Sequence, residues 1–532
     1  MEVTILPFAA VPQLAAKDLA YATQNPAFRP FFKYEPRLSE FEKVIADKKK
    51  DATNREVLVE ILHRQYAAAP PNPKVADNIA ALLNENTFIV VTAHQPSLFT
   101  GPLFFVYKII STINLAEQLN AQYPEQRFVP VFVNGGEDHD FEEVNHAHVF
   151  GKKITWEAPD AGGSVGAMST ASLPTVLEQL QTLLGENEAA KEIFAIIETA
   201  YSNHSIYGNA ANELVNKLFG QYGLVTINMN VPELKKIFAP IIREEIFNQP
   251  SQPLIEETQK ALGEAGFSSQ AHAREINLFY LQPGRRDRIV KNGDQFEVLG
   301  ANLHFTSAEM EQEIDTHPER FSPNVALRPL FQELILPNLA YVGGGGEIAY
   351  WLERKTQFAH FGINFPMLIR RNSVMWIDRP SSGRMEKLGL DPADLFQDTD
   401  ALIRHFLEKN TENELSLETE KASLQSLFDS IQQKALLVDP TLEKAVAAEA
   451  VKQLKVVEQL ESRLVRAEKQ KQETAVNQIR NLKEKFFPNN GLQERVDNFL
   501  NLYTKYGHTF FEVLKNNLNP LESGMVIVRD KE

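Results

Sequence analysis

Eight titratable side chains crowd one short stretch of the chain: Glu137, Asp138, His139, Asp140, Glu142, Glu143, His146 and His148. A carboxylate beside an imidazole orients the ring and moves the two pKa values apart, as general acid–base work requires. The same groups suit an ammonium ion and, as a His/Asp set, zinc or magnesium. Their spacing argues against a metal, since no two of these histidines stand four apart on one helix face. Glu142 and Glu143 read as first-turn carboxylates that suit a helix dipole.

Two further clusters carry chemistry. His94, Gln95, Ser97, Thr100 and Gly101 precede a helical pattern, and unpaired N–H groups at a helix start favour an anion. The plainer reading is that Ser97 or Thr100 caps the helix and His94 is a buried, hydrogen-bonded histidine. In the third cluster, Gly343, Gly344, Gly345 and Gly346 run into Glu347. Four glycines let the backbone approach a ligand and present its N–H groups, although a tight strand-to-helix turn accounts for them equally. The run is neither a GxGxxG fingerprint nor a Walker A loop.

All three clusters follow short apolar runs, at residues 88–92, 128–133 and 341–342. Between the first two, Leu103, Val106, Ile110, Ile113 and Leu119 recur at helical spacing. Strand, helix and strand make one βαβ unit, and its right-handed crossover puts both connecting loops at the same end of a parallel sheet. Ligands of open α/β sheets bind beyond the carboxyl ends of the strands. His94, Gln95, Ser97 and Thr100 are therefore expected close to Glu137, Asp138, His139 and Asp140.

Composition narrows the function classes. Lys and Arg number 54 against 70 Asp and Glu, a net charge of −16 that argues against nucleic-acid binding through broad phosphate contacts. The compact basic clusters, Lys48-Lys49-Lys50 and Arg285-Arg286-Asp287-Arg288, read as solvated surface. There is no cysteine, so disulfides, a thiolate nucleophile and cysteine-ligated zinc are excluded. The apolar patch at residues 3–16 has Glu2 in place of a basic leader and is broken by Pro7 and Pro12, unlike a signal peptide. No apolar run is long enough to span a membrane, and the expectation is a cytoplasmic protein without membrane partners.

The fold class expected is α/β: a Rossmann-like parallel-sheet core with insertions, plus a C-terminal long-helix coiled coil. Residues 1–150 give N-terminal helices and the first part of the core, 151–220 a helical insertion, and 221–380 the second part, with a small β insertion near 270–320. Residues 381–500 form the helical coiled-coil domain, and 501–532 pack back on the core. Residues 441–487 hold no proline or glycine, long enough for roughly 70 Å of helix. Leu442, Val446, Ala450, Leu454, Val457, Leu460, Leu464 and Ala467 draw its apolar line, with a phase break at residues 469–474. The pattern reads as a hairpin folding back on residues 417–437 across Asp439-Pro440, and a seam this long suggests a homodimer.

At these loops the chain is similar to a known family. TAHQPSLFTGPLFFVYKI (92–109), PVFVNGGEDHDFEEVNH (130–146), FSPNVALRPLFQELILPNLAYVGGGGEIAYW (321–351) and FFPNNGLQERVDNFL (486–500) closely resemble the bacillithiol biosynthesis cysteine-adding enzymes, in order and over nearly the whole chain. The resemblance implies a nucleotidylyltransferase-like core, a coiled coil, a dimer, and a ligase joining the carboxyl of cysteine to the amine of glucosaminyl-malate. Such a bond needs an activated carboxyl, which implies ATP or another nucleotide, with magnesium as its companion. The chain departs from the class I synthetases in lacking a KMSKS loop, and His94-Gln95-Pro96-Ser97 is a loose echo of a HIGH motif.

On this reading His94, Ser97 and Thr100 hold a phosphate or carboxylate. Asp138 or Asp140 takes the ammonium, and His139 is the candidate base. Gly343, Gly344, Gly345, Gly346 and Glu347 close the pocket, and Arg328 neutralises malate or phosphate. Gln95, Gly101, Glu137, Asn145 and His146 complete the binding set. The alternatives are a metal-dependent hydrolase built on the His/Asp cluster at 138–148 and a non-catalytic coiled-coil scaffold.

Overall fold

The computed structural model describes residues 1–159, 161–411 and 415–531. Five parallel strands form the central sheet: β1 (Thr87–His94), β2 (Arg127–Asn134), β3 (Val225–Asn228), β9 (Asn338–Gly343) and β10 (Met367–Arg370). Their spatial order is β10-β9-β1-β2-β3. Apolar β-branched runs such as Phe88-Ile89-Val90-Val91 suit strands covered on both faces, and these four residues are all buried. The chain builds outward from β1 to β3, then crosses back to β9 on the other side. The switch point therefore lies where β1 and β9 end, between His94 and Gly343.

Between β3 and β9 comes the small antiparallel sheet: β4 (Leu278–Gln282), β5 (Arg285–Asn292), β6 (Gln295–Val298), β7 (Leu303–Thr306) and β8 (Phe321–Pro323), in the order β7-β6-β5-β4-β8. A hairpin of His146–Val149 with Lys152–Thr155 and three helices, Pro174–Leu184, Glu188–Ser202 and Tyr207–Phe219, make the earlier insertion.

Helix α1 (Phe104–Gln122) connects β1 to β2 and is buried along most of its length, with Val106, Ile110, Ile113 and Leu119 all inaccessible. Helix α2 (Pro232–Asn248) follows β3, α3 (Arg328–Ile335) precedes β9, and α4 (Gly345–Trp351) follows it. The sheet belongs to a compact unit of residues 3–375 and 493–526. Residues 493–500, grouped in sequence with the long helices, thus sit with the sheet.

Residues 376–492 dominate the second unit. Its helices are α5 (Thr399–Asn410), α6 (Glu418–Val438), α7 (Leu442–Lys471) and α8 (Glu473–Phe486). Helices α6 and α7 form the hairpin, turning at Asp439-Pro440, and α7 breaks from α8 at Gln472, inside the expected phase break. The seam differs in its second half. Val446, Ala450, Leu454 and Val457 are covered, but the covered line then passes to Glu461, which accepts from Arg404 at 2.5 Å and Lys421 at 3.2 Å. Leu442, Leu460 and Leu464 of the expected line stay exposed. Paired glutamates in place of apolar knobs displace the seam by one position.

Candidate functional site

The carboxyl ends of the strands carry a row of polar residues. Pairing sets His94 beside Asn134 and Asn134 beside Asn228, while Gly343 stands opposite Arg370 on the other flank. Above this row opens a cavity of about 480 Å³. His94, Gln95, Glu137, Asp138, Arg328, Gly344, Gly345, Gly346 and Glu347 line it, joined by Asn134, Glu143, Asn228, Arg286, Tyr350, Arg371 and Arg495. The topological expectation that the first two clusters meet is visible in one bond: Gln95 Nε2 donates to Asp138 Oδ2 at 2.7 Å.

One pole of the cavity is acidic. Glu137 is held at 2.5 Å by Lys235, which is wholly buried and also donates to the Phe321 carbonyl. Asp138 accepts from Gln95 and lies 3.3 Å from Arg286. Glu143 has no such cation, and burial, then Asp140 and Asp138, push its pKa up.

The opposite pole is basic. Arg371 is buried, donating through Nη2 to Glu494 at 2.9 Å and through Nη1 to the Asn372 carbonyl, while its Nε has no partner among the described residues. Arg328 donates to Gln332 and to Tyr350. Glu347 belongs to this pole as a counterion. It accepts from Lys108 Nζ at 2.8 Å, Tyr341 Oη at 2.5 Å and the Gly344 N–H at 2.9 Å. Burial opposes its charge, but Lys108 prevails and holds Glu347 at about 2.

Glycine is required at the turn for a steric reason. A Cβ on Gly345 would fall 2.0 Å from the Asp18 carboxyl carbon, and Asp18 is itself locked in a bidentate pair with Arg370 at 2.6 and 2.9 Å.

His94 stands at the centre of the polar row. Its Nδ1 lies 3.0 Å from the Gln95 carbonyl, so Nδ1 carries the proton and Nε2 is left as an acceptor. Burial, reinforced by Lys108, pulls the imidazole down to about 4, and the ring is neutral at pH 7.

The other expected residues stand elsewhere. Ser97, Thr100 and Gly101 do not line the cavity, and α1 has no side-chain cap. They shape a turn instead: Phe99 and Thr100 hold φ of 51° and 70°, Gly101 follows at 66°, and Ser97 packs where a Gly101 Cβ would lie. Asp140 is the N-cap of Phe141–Val144, accepting from the Glu143 N–H, and does not reach the cavity.

His139 is half exposed outside it, with Nδ1 2.8 Å from Arg286 Nη1 and its ring on Phe279. Asn145 and His146 bond to each other, and Gly343 ends β9 behind the wall. Among the described residues no three His, Asp or Glu side chains are placed to hold a metal ion.

Two expectations about basic clusters fail. Arg286, read as solvated surface, has a side chain only 6% exposed and faces Asp138. Lys48 is buried too, donating to the Glu333 carbonyl. Arg371 and Asn228 escaped sequence reading although each closes a buried strand. The rule that located the other loops, polar residues at strand carboxyl ends, would have found both.

A doubly wound sheet with a cleft lined by both acidic and basic side chains at its switch point, in a chain that also carries a helical hairpin, defines a two-part α/β protein. Residues 1–372 match the family model of the N-terminal Rossmann-like domain of bacillithiol biosynthesis BshC, and residues 374–529 that of its C-terminal coiled-coil domain. Relatives from Christiangramia forsetii and Flavobacterium psychrophilum are 39% and 38% identical, covering 96% of this chain and 96% of their own in each case. A third, from Flavobacterium johnsoniae, is 39% identical over 510 residues with the same coverage. All three bear the name "Putative cysteine ligase BshC". This chain belongs to the BshC family.

Proposed function

We propose that the protein is a cysteine ligase of bacillithiol biosynthesis, forming the amide between the cysteine carboxyl and the amine of glucosaminyl-malate in the cavity at the ends of β1 and β9. The observation that carries this reading is the neutral His94, with Nε2 free to accept a proton, set between an acidic and a basic pole. In the bond-forming step the amine nitrogen attacks the activated carboxyl carbon. A C–N bond forms, the C–O bond to the activating group breaks, and the amine proton passes to His94 Nε2. Asp138 and Glu143 attract the incoming ammonium, Glu143 takes its first proton to leave the amine that attacks, and Gln95 fixes the Asp138 carboxylate. Arg328 and Arg371 hold anionic groups at the far end. Burial is the main cause of the low His94 pKa and the Lys108 charge the next, and an anion bound there offsets the second of these.

Activation is assigned to a nucleotide. The unpartnered Arg371 Nε, 3.4 Å from the Cβ position of Gly344, and the closely approached glycine turn fit a polyanion. Such a nucleotide supplies the leaving group that a free carboxyl lacks. The test is to incubate purified protein with cysteine and glucosaminyl-malate and each nucleotide in turn. Amide product should appear with one of them, with equal nucleotide cleaved; cleavage without amide contradicts the reading.

The chain is further proposed to work as a homodimer in the cytoplasm. Leu427 and Ile431 on α6 and Val456, Leu460 and Leu464 on α7 are 40–56% exposed apolar side chains, which a second copy would cover.

A further inference from the structure

The segment Gln493 to Leu500 enters the cavity wall from the far end of the chain, and its anchoring is extensive. Asn498 is fully buried and donates to the carbonyls of Phe99 at 2.8 Å and Gly101 at 2.6 Å, holding the left-handed turn after β1. The Asp497 carbonyl accepts from the Leu103 N–H at 2.7 Å, at the start of α1. Glu494 is 1% exposed and accepts from Arg371, Ser373 Oγ and the Val374 N–H. Such fixed backbone leaves little freedom to the two residues between these anchors, Arg495 and Val496, of which the first carries a charge. Arg495 lines the cavity and has no hydrogen bond or ion pair among the described residues. Exposed Arg495 and buried Arg371 line the same cavity, and desolvation there, then the charge of Arg371, pull the Arg495 guanidinium below the usual value.

Two guanidinium groups lining one cavity repel each other, and an anion bound between them relieves that repulsion. Glu494 neutralises one face of Arg371 and leaves its Nε without a partner, and Arg495 keeps all its donors. We propose that Arg495 is a substrate-binding residue that, with Arg371 Nε, clamps a dianionic phosphoryl or carboxylate group of the substrate. The inference rests on the reading of this cavity as the reaction centre.

The test is calorimetric titration of the full-length protein with inorganic pyrophosphate and, separately, L-malate, which distinguishes the two sources of the anion. The wild type should bind at least one probe. Arg495→Ala should weaken that probe tenfold or more and Arg495→Lys by less, with melting temperatures unchanged. Wild-type affinity in Arg495→Ala, or no binding of either probe to the wild type, overturns the clamp. Thiol formation in cells separates the two claims: a variant that loses the anion yet makes wild-type amounts of product overturns the substrate role and leaves the ligase reading standing.

Discussion

At the scale of the residue, the proposed chemistry depends on a neutral His94 and on the Asp138 side chain held between Gln95 and Arg286. His94 is depressed from the ordinary histidine value to about 4. As pH falls from 7 the unfolded chain takes up this proton first, so stability is lost between about pH 6.5 and 4. The loss amounts to at most about 3 kcal/mol, and less because water reaches the ring through the cavity. His94→Asn keeps a donor for the Gln95 carbonyl and removes the titration. Melting curves from pH 7 to 4.5 should show the wild type falling further than the variant; parallel falls contradict the assignment.

Asp138→Asn removes the charge opposite Arg286 and the ammonium site together, and product formation should drop at least a hundredfold while the protein stays folded. Full activity in that variant contradicts the role given to the acidic pole.

At the scale of the element, the parallel sheet and the helical hairpin were legible because periodicity is a local signal. The run Phe88-Ile89-Val90-Val91 and the helical spacing from Leu103 to Leu119 needed no partner to be read. The site was half legible. Topology put His94 and Gln95 beside Asp138, but it could not tell which side chains of a loop turn inward. His139 and Asp140 point away because Asp140 caps a one-turn helix and His139 lies on Phe279. Arg286 comes from a strand some 150 positions distant, and no sequence pattern joins it to Asp138.

Two predictions belong here. Gly345→Ala places a methyl 2.0 Å from the Asp18 carboxyl carbon, so Asp18 must leave Arg370 and a buried pair is broken. The cost should be about 3–5 kcal/mol, read as a fall in denaturation midpoint; an unchanged midpoint contradicts the packing described. Leu460→Arg and Leu464→Arg on α7 should convert a dimer to a monomer by light scattering without loss of helix. Wild-type mass in both would contradict the dimer face.

At the scale of the whole molecule, a chain with a net charge of −16 gathers cations at one place, the wall formed by Arg328, Arg371 and Arg495. A small anion such as pyrophosphate or malate should be drawn to this positive wall inside a negative protein, and the attraction should weaken with salt. The C-terminal return at residues 493–500 ties that wall to the other end of the sequence. Its part in the site was hidden in sequence because it follows the long helices and shares their lack of strand signal.

Addition of cysteine to glucosaminyl-malate is the activity proposed for this chain. It is tested most directly by mass spectrometry of thiols in a bacillithiol-producing strain lacking its own cysteine-adding enzyme, with this gene, with its His94→Asn variant, and without either. The wild-type gene should restore bacillithiol and lower glucosaminyl-malate, and the variant should do so at least tenfold less. Glucosaminyl-malate that persists despite ample folded wild-type protein would contradict that activity.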